Sequence, residues 1–287
     1  ALSPGQYFVL VAPWDPQVTG NYSLRIRGDV VDTNYTDLWW NPAESGWGVN
    51  LNHQDNILFA TLFTYDTDGS QMWLVMSNGA KQPDGSFSGP LYRVTGPAFN
   101  ASHWGAVSLT QVGTMSVSFS GTSSGALTYS VNGTNVTKNI VRQAFATTTT
   151  PCGWSLFNRS LSTNYQDLWW NPTESGWGLN IAHQQDTLFA TLFTYDAAGK
   201  GMWLVMSNGT LISGNSSNPV YTGTLYRTTG PAFNASPWTA ISLASVGTMR
   251  LSFTDGNTGT LVYTVNGVQV TKSIQRQVFG AVKTQCD

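Results

Sequence analysis

Residues 37–54 read DLWWNPAESGWGVNLNHQ, and residues 167–184 read DLWWNPTESGWGLNIAHQ. In the first copy Trp47, Val49, Leu51 and His53 alternate with Gly48, Asn50, Asn52 and Gln54. A period of two with an apolar face and a polar face predicts a β-strand with one side against a core. The NPxxSG run before it carries Pro, Ser and Gly, the residues of tight turns. The phrase therefore reads as a short strand, a turn and a second strand.

The repetition is wider than the phrase. Between residues 36–77 and 166–207, 30 of 42 positions are identical. The match resumes with TGPAFNAS at Thr95 and Thr229, and with VGTM at Val112 and Val246. A unit this long is a domain rather than a solenoid turn. The expected organisation is an N-terminal hairpin segment at 1–32, one repeat at 33–146, a linker with a lead-in strand at 147–162, and a second repeat at 163–287. Within each repeat, short β-like runs are separated by turn signals such as VNG, and no helical periodicity is sustained. Eight or so strands in meander order hide their edges by closing, so an all-β chain of two tandem up-and-down barrels is expected, with a sandwich as the other architecture.

Two runs break the simple pattern. ILFATLFTY places Phe59, Phe63 and Tyr65 opposite Leu58, Ala60 and Leu62, and QMWLVM places Trp73 and Val75 opposite Met72, Leu74 and Met76. Both faces of this hairpin need cover, which predicts that the barrels pack on each other, or on further copies, through it.

Composition narrows the function. Charged residues are 10% of the chain and the net charge is −2, which leaves no electrostatic footprint for nucleic acid. No apolar run reaches the ~20 residues of a membrane span. Cys152 and Cys286 bracket the second repeat. A disulfide explains that placement, with two free thiols as the alternative; it would contribute roughly 4–5 kcal/mol and point to an oxidising, extracellular or cell-surface location.

A Trp on the first strand and an Arg on the last, Trp39 or Trp40 with Arg142 and Trp169 or Trp170 with Arg276, resembles the seam of calycin barrels, the lipocalin and avidin group. That resemblance implies a barrel in which the Arg packs over the Trp at closure. Asp37 and Asp167 stand where that group has a Gly. The NPxxSGWG phrase is similar to repeats of exported bacterial proteins, which implies secretion. GQYFVLVAPWDPQVTGNYSLRIRG, at residues 5–28, resembles the closing hairpin of bacterial pre-peptidase C-terminal domains.

Chemistry is sparse. Glu44 and Glu174 are the only glutamates. They read either as general acids with Asp37 and Asp167 as partners, or as turn residues that accept N–H bonds or pair with the seam Arg. One matched His per repeat, His53 and His183, with no neighbouring ligand makes a poor metal site (His103 has Pro237 as its counterpart). No nucleophile elbow, phosphate loop or dinucleotide fingerprint is present. No cofactor, no metal and no enzymatic activity are expected. Five Trp recur at matching positions in each repeat, and Trp serves both as core filler and as a platform for sugar rings. The candidate binding residues are Trp40, Trp47, Asn50, His53 and Trp73, with Trp170, Trp177, Asn180, His183 and Trp203. The expected function is a secreted structural protein that self-associates, with the hairpin donating strands. The rival is a carbohydrate-binding module with one Trp-based site per repeat and polysaccharide as partner.

Overall fold

The computed structural model describes residues 33–147, 149, 152–213 and 218–286; the hairpin expected at 1–32 lies outside them. The first repeat forms β1 (Asp37–Trp40), β2 (Gly48–Gln54), β3 (Ile57–Tyr65), β4 (Gln71–Lys81), β5 (Phe87–Thr95), β6 (Ser108–Phe119), β7 (Ser124–Val131) and β8 (Thr134–Arg142). After β9 (Gly153–Ser155) the second repeat forms β10 (Asp167–Trp170), β11 (Gly178–Gln184), β12 (Thr187–Tyr195), β13 (Gly201–Ser213), β14 (Val220–Thr229), β15 (Ser242–Phe253), β16 (Thr258–Val265) and β17 (Val268–Arg276), followed by β18 (Lys283–Gln285). Strands β1 to β8 close into one antiparallel meander barrel, and β10 to β17 close into another. Closure is the pairing of first strand with last, Trp39 opposite Arg142 and Trp169 opposite Arg276.

Local chemistry sets the turns. Asn132–Gly133 and Asn266–Gly267 all have positive φ, which suits the right-handed twist of the hairpins they join. In the SGWG turn, Gly46 and Gly176 sit at φ +102° and +100°, with Ile241 and Val107 of the opposite barrel pressed where a Cβ would stand. Glycine is required there on both counts.

Each barrel is filled by side chains. Trp39, Val49, Leu51, Leu58, Leu62, Met76, Phe87 and Leu127 belong to the first interior, and their repeat partners fill the second. A third apolar cluster joins the barrels: Phe63, Tyr65, Trp73 and Val75 from one, with Phe193, Tyr195, Trp203 and Val205 from the other. The two-faced hairpin is thereby explained, with its even-numbered residues lining the barrel and its odd-numbered residues packing between barrels.

The interface also exchanges loops. Phe233 lies in the first barrel's interior cluster, and Phe99 packs against the second's. Their backbones are anchored reciprocally, Phe99 N–H to Tyr195 O and Phe233 N–H to Tyr65 O. Trp104 Nε1 donates to Ser175 O at 2.8 Å, and Trp238 Nε1 donates to Ser45 O at 3.0 Å. Each TGPAFNAS loop therefore plugs the mouth of the barrel it does not belong to. Residues Asn34–Asp287 form one compact unit.

Cys152 and Cys286 form a disulfide, and β9 and β18 pair antiparallel beside it. Trp154 of β9 meets the His53 ring edge-on at 4.7 Å, so this small sheet lies over one end of the first barrel.

Candidate functional site

Four settings hold the residues singled out above. The first is the barrel mouth. Lys138 Nζ donates to Glu44 Oε1 at 2.9 Å, and Trp47 Nε1 donates to Glu44 Oε2 at 3.0 Å. Trp238, from the opposite barrel, lies 5.2 Å from the Lys138 ammonium. Lys272, Glu174, Trp177 and Trp104 repeat the arrangement. The expected partner of the glutamates was a backbone N–H or the seam Arg; the observed partner is a lysine on β8 or β17. The turn carries Glu44 back across the mouth, where a partly buried carboxylate is favoured by a cation close by.

The second setting is the seam. Arg142 stacks over Trp39 at 4.8 Å and Arg276 over Trp169 at 5.0 Å. Trp39 and Trp169, not Trp40 and Trp170, are the seam residues. Arg142 also bridges to Asp37 at 2.9 Å, and Arg276 to Asp167 at 3.2 Å. In the second barrel Arg159 binds the same carboxylate oxygen. Burial pushes the Asp37 carboxyl above its ordinary range, against the pull of Arg142. Each of these carboxylates thus faces its own cation.

The third setting is the barrel end opposite the mouth, six residues along β2 and so about 20 Å away. His53 stacks on Tyr35 and meets Phe87, while His183 stacks on Tyr165 and meets Tyr221. His183 Nδ1 accepts from Tyr165 N–H at 3.0 Å, which assigns the proton of the neutral ring to Nε2. Both rings are buried as part of the interior face on which the alternation placed them.

Burial holds the His183 pKa down to about 4; Arg276 lowers it further, while the Gln185 backbone and Asp186 oppose. Its folded value lies below the ordinary 6.5, so its contribution is complete above that pH. The contribution is lost as pH falls from 6.5 toward 4, where the unfolded chain takes the proton first. The expected loss is about 3 kcal/mol between pH 7 and pH 4. Denaturant titrations should show that His183→Asn flattens this slope, even if it lowers stability at pH 7; an unchanged slope would reassign the acid sensitivity. Asp37, with a raised pKa, contributes in the opposite direction, so parent and variant are compared at each pH.

The fourth setting is the seam between barrels. Asn50, Asn52, Thr61, Asn180 and Thr191 form a buried polar layer on the outward faces of β2, β3, β11 and β12. Asn52 Nδ2 donates to Asn180 Oδ1 at 2.6 Å. Gln54 accepts from Phe279 and Gly280 N–H, and Gln184 accepts from Phe145 and Ala146 N–H. Trp73 Nε1 donates to Thr194 O and Trp203 Nε1 to Thr64 O, each at 3.0 Å. These groups hold one barrel on the other.

Beside this layer a cleft of about 200 Å³ opens between the barrels, lined by Trp40, Trp47, Phe63, Phe189, Trp203 and Tyr226. It gathers three of the ten candidate binding residues, Trp40, Trp47 and Trp203. Trp40 and Trp170 are half-buried, whereas Trp73, Trp177, Asn50, Asn180, His53 and His183 are buried. The loop tryptophans Trp104 and Trp238 escaped the candidate set. Their signal was an aromatic residue kept within a turn-rich segment in both copies.

Among the described residues no three His, Cys, Asp or Glu side chains gather as a metal cluster, and no helix is long and apolar enough to cross a membrane. No protein-family model, curated protein or solved structure matches the chain.

Proposed function

We propose that this is a non-enzymatic structural protein of an extracellular or cell-surface setting, which self-associates with residues 1–32 as the donated element. The observation that carries the reading is the flank that follows β9. Leu156, Phe157 and Leu161 are 68%, 79% and 90% exposed, three large apolar side chains within six residues. Other large apolar side chains are exposed elsewhere, Ile212 and Leu243 among them, but these three are the most exposed and lie within one short run. Such a cluster marks an interaction site. Asn34, close to where residues 1–32 join the described chain, donates to Gly153 O at 3.0 Å and to Thr284 Oγ1 at 3.1 Å.

The filled barrel interiors and the cation-paired carboxylates favour a structural role over ligand carriage or hydrolysis. In the segment itself, Tyr7, Val9 and Val11 alternate with Phe8, Leu10 and Ala12, so both faces of that run are apolar. A strand with two apolar faces needs cover on both. The disulfide is compatible with an oxidising compartment.

Size-exclusion chromatography with light scattering tests the reading. The intact chain is expected to run as a multimer, and deletion of residues 1–30 or the pair Phe157→Asp, Leu161→Asp should leave folded monomers. An intact chain that stays monomeric at high concentration would remove the assembly reading.

A further inference from the structure

We propose that the cleft between the barrels binds a single neutral pyranose ring, the end of a glycan, with Trp40 as its stacking face. Aromatic rings form much of its wall: Trp47, Phe63 and Trp203 lie on its buried side, and Phe189 and Tyr226 are half-buried. Leu38, Val205, Ile241 and Leu243 complete the apolar lining. Trp47 and Trp203 have their indole N–H groups committed to Glu44 and Thr64, so they offer ring surface only. Trp40 is half-buried and within reach of solvent. Hydrogen-bonding groups accompany the rings, namely Ser45, Gln143 and Ser207.

This combination selects the ligand. No ionised side chain lines the cleft, so an anionic or cationic guest would lose hydration without a partner. The volume of about 200 Å³ accommodates one ring and is too small for an acyl chain or a peptide. A pyranose presents an apolar C–H face to an indole and a rim of hydroxyls to amide and hydroxyl partners. Ser45 and Ser207 are exposed and Gln143 is half-buried, so they offer a sugar's hydroxyl rim partners that a plain aromatic guest does not use. The site belongs to the barrel pair: Trp40 and Trp47 come from the first repeat, and Phe189, Trp203 and Tyr226 from the second.

The full chain is titrated with methyl α-glucoside, methyl β-galactoside and N-acetylglucosamine, and in a separate arm with p-cresol, following tryptophan emission and then calorimetry. Dilution is chosen so that parent and variants share one oligomeric state. At least one sugar should give a saturable response that Trp40→Ala weakens by about tenfold or more, while Trp40→Phe keeps most of it. The two variants should melt close to the parent, because Trp40 lies at the rim rather than in a core. Absence of a saturable response to every sugar overturns the proposal, as does an equal response in Trp40→Ala. Saturation by p-cresol alone also overturns it, in favour of an aromatic ligand.

Discussion

Residues 34–146 produced alone are expected to be a homodimer or an unfolded chain, and never a stable monomeric barrel. The reason is reciprocal closure. The first barrel's interior includes Phe233, with Trp238 packed against it, and both come from the second repeat. Removing that repeat opens the mouth and strips Tyr65, Trp73 and Phe63 of their cover. Full burial of one such side chain contributes about 1.5–3 kcal/mol, so exposing several costs on the order of 10 kcal/mol. That equals the whole stability of an ordinary domain. The first repeat carries the same TGPAFNAS loop, with Phe99 and Trp104, so a second copy of it can supply what is missing. Sedimentation across a concentration series is the measurement. A dimer whose melting temperature rises with concentration is the expected result, and a monomer with a sharp, concentration-independent melt would show that the exchanged loops are ornamental to folding.

Much of this architecture was legible in residue order because it rests on local rules. The alternation in WGVNLNH gives the inward face of β2, and Asn132–Gly133 gives the β7–β8 turn. The Trp–Arg pair, Trp39 or Trp40 with Arg142, came from the resemblance to calycin barrels, and the strand pairing selects Trp39. Closure itself was readable from the meander of eight or so strands, whose edges need hiding. The two-faced hairpin gave the barrel contact for the same reason, an apolar surface with nowhere else to go. The loop exchange was not read, because a loop's destination depends on where the second barrel sits. Its trace was Phe99 and Phe233 inside turn-rich segments, where a surface loop has no use for a large apolar ring. The lysine partners of Glu44 and Glu174 were likewise hidden by distance along the chain. Lys138 and Lys272 recur at matching places on β8 and β17, but only the turn geometry brings the glutamates to them. The ten candidate binding residues divided by face. Those on the inward face, such as His53, became interior, and Trp40 stayed at the rim.

The seam arginines should show the largest effects of any single substitution, and they should differ in pH dependence. Stacking of a guanidinium on Trp contributes about 1–2 kcal/mol at a buried site. Arg276 does more than stack: it bonds Asp167 and donates to the carbonyls of Asn164, Gln166 and Gly256. Arg276→Ala leaves those three oxygens without this donor and disrupts a buried ion pair, so the expected loss is on the order of 3–5 kcal/mol. Arg142 binds Asp37 and the carbonyls of Asn34, Thr36 and Thr122, and its removal should cost a similar amount at neutral pH. The carboxylates then part ways. Asp167 keeps Arg159 as a cation partner. Asp37, already raised by burial, loses its arginine and is raised further. A group whose folded pKa exceeds its unfolded value contributes stability at low pH that disappears as pH rises through the folded pKa. The penalty of Arg142→Ala relative to the parent should therefore shrink on going from pH 7 to about pH 5. Arg276→Ala, which leaves the Asp37–Arg142 pair intact, should not share that change. Denaturant unfolding of parent and both variants at the two pH values decides the matter. Losses below about 1 kcal/mol in Arg276→Ala would mean that the hydrogen-bonded ladder alone closes the barrel, and equal pH behaviour in the two variants would mean that Asp37 finds another cation when Arg142 is gone.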